Sequence, residues 1–317
     1  AKGFIGRALA RKLADRGYEV RCLVRDPANA TAPEADGVRL VKGDITDKVS
    51  MRAAMDGADA VFHVAGWYAM GVRDVRRMHA INVDGARNTL GLAAELGVPK
   101  ILHTSTVGVF GNTRGRVVDE TYRAPKDAMT SAYEVTKWIA HYEVAEVLQR
   151  QGAPVIIVQP GGVTGPGDQS PHIQVFDMFL RRSPVMLGAR SGITLAHVDD
   201  IAEGHVLALE KGTAGGTYIL AGEALTYKRL FEMCEKLTGT PAAKFWLPGW
   251  AAQSMSGLMA ALERAGMRGA FSSEGLATMN DYTYWASADK AQRELGWRRR
   301  PLEETLRDAL TYLQARQ

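Results

Sequence analysis

The sequence predicts an α/β chain: a doubly wound parallel sheet with helices on both faces, followed by a smaller, mainly helical C-terminal lobe. Two observations carry that expectation. Up to Gln159, apolar runs of strand length alternate with amphipathic stretches of helical spacing. One of those runs, Ala58 to Ala65 (ADAVFHVA), is almost unbroken, as a strand covered on both faces requires.

The first helix begins near Gly3. Ala1-Lys2-Gly3-Phe4-Ile5-Gly6 leads into Arg7 to Arg16, where Ala8, Leu9 and Leu13 keep helical spacing. Two glycines three apart at a helix N-terminus let a backbone approach a pyrophosphate, whose charge the helix end favours. The alternative is a glycine-flecked helix start. Tyr18 to Arg25 reads as a strand after Gly17, and Val38 to Val41 as another. Gly43-Asp44-Ile45-Thr46-Asp47 turns into a helix capped by Thr46 or Asp47. After the buried run at Ala58 a long helix follows, from about Asp74 to Leu96. The strand Lys100 to Ser105, a helix bearing Tyr133 and the strand Pro154 to Gln159 complete the alternation.

Pro160 to Asp168 (PGGVTGPGD) is too rich in turn formers to be an element. It follows a strand C-terminus, where open α/β sheets bind ligands. Beyond it the pattern gives mostly short helices and one clear strand, Gly216 to Leu220; Trp246, Trp250, Met255, Met259 and Trp285 are the expected core of the lobe. Residues 1–165 are thus expected to bind a dinucleotide. Residues 166–317 form the substrate lobe, interleaved with the first part, and 193–221 can join either.

Composition narrows the function classes. With 317 residues, 46% hydrophobic and 23% charged, the chain has the means to bury a large core. A net charge of +4 without any lysine/arginine block argues against a nucleic-acid partner, and Arg298-Arg299-Arg300 before Pro301 reads as a solvated turn. No apolar run reaches the ~18 residues of a membrane span. Cys22 and Cys234 lie in apolar periodic segments and read as buried thiols of a reducing, cytoplasmic setting. His197 and His205 flank Asp199 and Asp200, but no other cluster supports a metal, and none is expected.

The chemistry concentrates in Ser131-Ala132-Tyr133-Glu134-Val135-Thr136-Lys137. A tyrosine and a lysine four apart share one helix face. The lysine charge favours the phenolate and brings a phenol of ordinary pKa about 10 toward neutral pH. A carbonyl reductase or alcohol dehydrogenase needs such a proton donor and acceptor beside the carbon that exchanges hydride.

Taken together, these residues resemble the extended short-chain dehydrogenase/reductase family, which includes NAD(P)-dependent epimerases/dehydratases and dihydroflavonol-reductase-like enzymes. The resemblance runs through Gly3-Phe4-Ile5-Gly6, Gly43-Asp44-Ile45, His63-Val64-Ala65-Gly66, Ile81-Asn82-Val83 and Thr104-Ser105-Thr106 with Val109-Phe110-Gly111. It continues through Tyr133/Lys137, Pro160-Gly161 with Gly165-Pro166-Gly167-Asp168, His197-Val198-Asp199-Asp200 and Glu294-Leu295-Gly296-Trp297. It implies a Rossmann-type fold with Tyr133 as general acid/base, Lys137 tuning it and holding the nicotinamide ribose, and Thr106 bonding the substrate oxygen. Ser105 is the rival hydroxyl; neighbours in a strand face opposite ways, and the family register selects Thr106. Gly3, Phe4, Ile5, Gly6, Arg25, Asp44, Ile45, Ala65, Gly66, Thr104, Pro160, Gly161 and Val163 would line the cofactor together with Tyr133 and Lys137. Phe110 and Gly162 would join Trp67 and Tyr68 at the substrate. Asn82 serves either a backbone bond or a proton relay. His197, Asp199 and Asp200 match an inter-lobe motif.

Three departures from the family pattern matter. Its opening strand and first motif glycine would lie before Ala1, so a longer natural chain with about ten further residues upstream is expected; a confirmed start at Ala1 refutes this. Val24 stands where NAD-preferring members carry an acid, and Arg25 follows, suited to a 2′-phosphate. NADP(H) is therefore favoured over NAD(H), the alternative being a solvated arginine beside Asp26. Gly162 stands where nucleotide-sugar enzymes place an asparagine, and Gln159 where many have arginine. Trp67 and Tyr68 either wall the pocket or pack internally.

The leading expectation is an NADP(H)-dependent oxidoreductase that interconverts an aldehyde or ketone and an alcohol. A sugar epimerase/dehydratase that retains NAD(H) shares the catalytic trio; Gly162, Arg25 and the Val107-Gly108 pair after Thr106 count against it. A non-catalytic cofactor-binding regulator is the third class. A homodimer through the Tyr133 helix and the long helix before it is compatible with either enzyme.

Overall fold

A computed structural model describes residues 3–31, 33, 35–182, 190–242, 249–264, 273, 276 and 281–316. Parallel strands form the frame. β1 (Val20–Val24) pairs with β2 (Val38–Lys42), while β3 (Ala60–His63), β4 (Lys100–Thr104), β5 (Val155–Pro160) and β8 (Thr217–Leu220) form a four-stranded parallel sheet in that order. Side-chain alternation covers both faces of that sheet. Leu102, Ile156 and Val158 meet α1 (Phe4–Asp15) and α8 (Val198–Lys211), whereas Ile101, Val155 and Ile157 meet α2 (Lys48–Met55) and α4 (Gly85–Glu95).

The long helix foreseen from Asp74 is interrupted. α3 (Val75–His79) passes through a π turn at Ala80–Asp84 into α4, and Asn82 sits in that turn. The catalytic-motif helix does the same: α5 (Ala132–Trp138), a π turn (Ile139–Ala145) and α6 (Glu146–Arg150). Asp47, not Thr46, caps α2, its carboxylate accepting from the amides of Val49 and Ser50.

The second half corrects the sequence reading. The glycine/proline stretch after β5 does contain an element, β6 (Gly162–Thr164), held by parallel pairing to β7 (Gly192–His197). With β9 (Glu223–Thr226) and β10 (Thr283–Tyr284), β6 and β7 make a second four-stranded sheet. Such short strands are set by partners distant in sequence, which a local pattern cannot show.

The lobe's core lies elsewhere than the tryptophan/methionine set. It is built by Ile173, Phe176 and Phe179 of α7 (Pro171–Leu180), Ile193 and Leu195 of β7, Leu230, Phe231 and Cys234 of α9 (Tyr227–Thr238), and Leu306, Leu310 and Leu313 of α11 (Leu302–Gln314). Met255 and Met259 on α10 (Gly249–Arg264) and Trp285 are only half-buried. Trp246 and the Trp250 side chain lie outside the described residues.

The His197-Val198-Asp199-Asp200 motif ties the parts together. The His197 ring accepts from the Asp199 amide and caps α8. Asp199 pairs with Arg11 of α1, and Asp200 accepts from the Arg300 amide (2.8 Å) and guanidinium (2.9 Å). Arg300 is therefore no solvated turn residue. α8 follows β7 of the second sheet yet packs with β8 on the first, so the two parts interleave within 192–220. Cys22 and Cys234 are both buried thiols, and among the described residues there is no metal-ligating cluster and no helix long and apolar enough to cross a membrane.

Candidate active site

A capping box sets the site. The Ser131 hydroxyl accepts from the Glu134 amide while the Glu134 carboxylate accepts from the Ser131 amide, fixing the first turn of α5 and with it Tyr133. One turn on, Lys137 is buried and its ammonium donates to the Thr104 carbonyl at 2.7 Å. The Thr106 hydroxyl accepts from the Gly108 amide at 3.1 Å and lies near enough to the Tyr133 phenol to oppose the rise of its pKa. Ser105 faces the other way, its hydroxyl 2.8 Å from His141 Nδ1. The two neighbouring hydroxyls, just past the end of β4, thus have different partners.

Electrostatics differ from the expectation that the lysine depresses the tyrosine. Burial pushes Tyr133 up to about 12, the Thr106 hydroxyl opposing and the Glu134 charge adding to the rise. Burial alone pulls Lys137 down to about 8. The ammonium is turned to the Thr104 carbonyl, so desolvation outweighs any help it gives the phenolate. At neutral pH Tyr133 is therefore a loaded proton donor, the form that carbonyl reduction consumes.

Several of the residues foreseen for the cofactor lie just past the C-terminal ends of the parallel strands, where such sheets bind ligands. Gly3 is exposed at the α1 N-terminus, which has neither a capping side chain nor an acid in its first turn. A Cβ added to Gly3 would meet nothing within 4 Å, so the helix end is open to an anion. Ala65 and Gly66 are exposed just beyond β3, and Arg25 is exposed just beyond β1, close enough to help lower the Asp44 pKa, which the Thr46 amide bond lowers most. An open helix end, a bare strand end and a buried lysine fit a dinucleotide.

Other predicted positions make packing and hydrogen-bond contacts within the fold. Phe4, Ile5 and Val163 pack against the core beneath α8, and Ile45 packs over Gly85. The Thr104 hydroxyl is bonded to His205 Nε2 at 2.9 Å, leaving its carbonyl for Lys137. Gly161 donates its amide to the Leu220 carbonyl, pairing beside Pro160, and a Cβ there would fall 2.4 Å from Thr194 Oγ1. Phe110 is buried edge-on to Tyr122 in a cluster with Val107, Val109 and Val118. Gly162 is buried too, and its added Cβ would lie 2.3 Å from Ile193 Cδ1 and 2.9 Å from the Thr194 carbonyl. The second sheet leaves no room for a side chain at this position.

Asn82 serves as a clamp. It accepts from the Trp67 amide (2.7 Å) and donates to the Trp67 carbonyl (3.1 Å) and to Thr136 Oγ1 (3.0 Å). Trp67 and Tyr68 are thereby held beside α5. The Tyr68 ring lies on Tyr133, centroids 4.5 Å apart, and its hydroxyl is 3.3 Å from His172 Nε2. Sequence reasoning missed His172, Tyr227, Tyr282 just before β10 and Tyr284 within it, which the second lobe brings to this point. Tyr282 and Tyr284 donate to the Glu134 carboxylate at 3.0 and 2.7 Å. Nothing in their local patterning marks them, because their partners lie some 150 residues away.

A family model described as the NAD dependent epimerase/dehydratase family matches residues 1–221. The chain belongs to that family. It is an enzyme of the extended short-chain dehydrogenase/reductase type. It is 31% identical, over 98% of its own length and 92% of the relative's, to a Synechocystis protein provisionally named dihydroflavonol 4-reductase. Cinnamoyl-CoA reductase 1 of Oryza sativa is also 31% identical, over 75% of this chain and 74% of that one. The crystal structure of gox2253 superposes with a TM-score of 0.86 at 33% identity, covering 100% of this chain and 96% of that chain.

Proposed function

We propose that the enzyme is an NADP(H)-dependent carbonyl reductase, interconverting an aldehyde or ketone and an alcohol. The observation that carries this reading is Tyr133, held by the capping box of α5 one helical turn from the buried Lys137 ammonium. A nicotinamide held beside Tyr133 and Lys137 would supply hydride chemistry to the carbonyl carbon, in either direction. Tyr133 gives its proton to the carbonyl oxygen as the negative charge develops there. The Thr106 hydroxyl donates to the same oxygen and steadies it. Lys137, anchored on Thr104, offers its ammonium to the ribose. Trp67 and Tyr68 supply an aromatic wall that suits an apolar carbonyl compound.

The names of the reductase relatives support the reaction class. The crowding at Gly162 supports it over a nucleotide-sugar reaction, because the asparagine of that branch has no space here. For the cofactor, Arg25 offers a guanidinium to a 2′-phosphate. A homodimer through α4 and the α5–α6 helix, which pack side by side, belongs to the same reading, as does a reducing, cytoplasmic setting for the buried thiols.

The test is a binding titration of NADPH and NADH with the parent and Arg25→Ala, followed by carbonyl-dependent NADPH oxidation with Tyr133→Phe. The reading expects NADPH to bind at least ~10-fold tighter than NADH and Arg25→Ala to erase the difference. Tyr133→Phe should still bind NADPH and lose at least ~100-fold in kcat. Tightly retained NAD(H) in the parent, or full turnover by Tyr133→Phe, would overturn it.

A further inference from the structure

Beside the catalytic tyrosine stands a buried carboxylate that the reaction as described does not use. Asp168 lies just ahead of α7 and is 2% exposed. Its Oδ1 accepts from the Ser170 amide at 2.7 Å, while its Oδ2 is buried with no hydrogen-bond partner among the described residues. Among the described residues no lysine or arginine forms an ion pair with it. Ser170, whose amide donates to Asp168, also accepts on its hydroxyl from the His172 amide at 3.2 Å, so the carboxylate lies in the turn that carries His172, and its charge acts on both members of the Tyr68–His172 pair. Tyr68 in turn lies on Tyr133. The unsatisfied oxygen thus borders the place where a carbonyl substrate must sit to reach Tyr133.

A buried carboxylate oxygen without a donor is costly, and a ligand that brings a donor removes the cost. The Tyr68–His172 pair supplies the complement. At 3.3 Å its hydrogen bond is long, and either partner has a polar atom to offer an incoming group. An alcohol satisfies both sides at once, donating its proton to Asp168 Oδ2 and accepting on its oxygen from the Tyr68 hydroxyl or from His172.

We propose that Asp168, with Tyr68 and His172, forms a subsite for a hydroxyl group of the substrate, so that the enzyme selects hydroxylated aldehydes or ketones over their deoxy analogues. This rests on the carbonyl-reductase reading and deepens it. Sites built to bond a substrate hydroxyl reject the analogue lacking it by factors up to ~10⁴–10⁵, because the polar groups of the site are then left unpaired.

The experiment uses phenyl ketones that each carry one hydroxyl, at successive positions, against the plain ketone. Two quantities are read: kcat/KM with NADPH, and calorimetric affinity for the NADP⁺-loaded protein. At least one hydroxylated ketone should be preferred by ~100-fold or more. Asp168→Asn keeps an oxygen for the Ser170 amide and removes the charge; it should cut the preference at least ~10-fold, as should Tyr68→Phe. Hydroxylated ketones all within ~3-fold of the plain one, as when a resident water fills the subsite, would overturn the proposal. So would a preference that survives both substitutions. A hydroxyl preference in binding without any turnover would sink the reductase reading and leave the subsite standing; turnover without preference would do the reverse.

Discussion

Acidification should unfold this protein through its interior histidines. His63 and His103 face each other in register on β3 and β4, rings stacked at 5.5 Å, and none of their four ring nitrogens has a hydrogen-bond partner among the described residues. Burial, with the Lys137 charge adding to it, holds His63 down to about 3 and His103 well below the usual histidine range. His205 donates from Nδ1 to the Ile201 carbonyl and accepts on Nε2 from Thr104; burial holds it down to about 4.

All three folded pKa values lie below the unfolded value near 6.5, so the unfolded chain binds the extra protons. Stability is untouched above about pH 6.5 and falls as pH drops below it, by ~1.4 kcal/mol per unit for each histidine, until the folded value is reached. At about pH 5, His63 and His205 each cost about 2 kcal/mol, about 4 kcal/mol together, and His103 adds in the same direction. That is a large part of the ~5–15 kcal/mol by which domains are stable. Urea unfolding at about pH 7.5 and pH 5, followed by circular dichroism, measures the loss, and His63→Gln should shrink it by about 2 kcal/mol whatever its own baseline. Equal stability at the two pH values, or an undiminished loss in His63→Gln, would refute the reasoning.

Three further outcomes are expected. Gly162→Asn drives a side chain into Ile193 and the Thr194 carbonyl and should cost about 3 kcal/mol, seen as a lowered urea midpoint; an unchanged midpoint would show that β6 can move aside. Asn82→Ala removes the clamp on Trp67 and should raise KM far more than it lowers kcat, with about 2–3 kcal/mol lost in stability. A collapse of kcat at constant KM would instead make Asn82 a proton relay. The reductive kcat/KM should fall as pH rises through about 8, where Lys137 loses its proton, and Lys137→Arg should move that limb upward; a profile flat to pH ~10 would place the essential charge elsewhere.

Sequence alone determined the alternating frame, because strands buried on both faces and amphipathic helices write their periods into nearby residues. Tyr133 and Lys137 were legible for the same reason: their spacing is one helical turn, and the capping Ser131 and Glu134 lie within it. Tertiary structure decided what depends on distant partners. β6 exists because β7 pairs with it, and Gly162 is a glycine because Ile193 stands behind it, not because of a missing ligand contact. Phe110 packs in a buried cluster, and among the described residues the lobe's core draws on α7, α9 and α11. The sign of the Tyr133 shift likewise followed from desolvation, a property of the whole enclosure. The Asp168–His172–Tyr68 grouping joins residues about a hundred positions apart, and only a folded chain makes them neighbours.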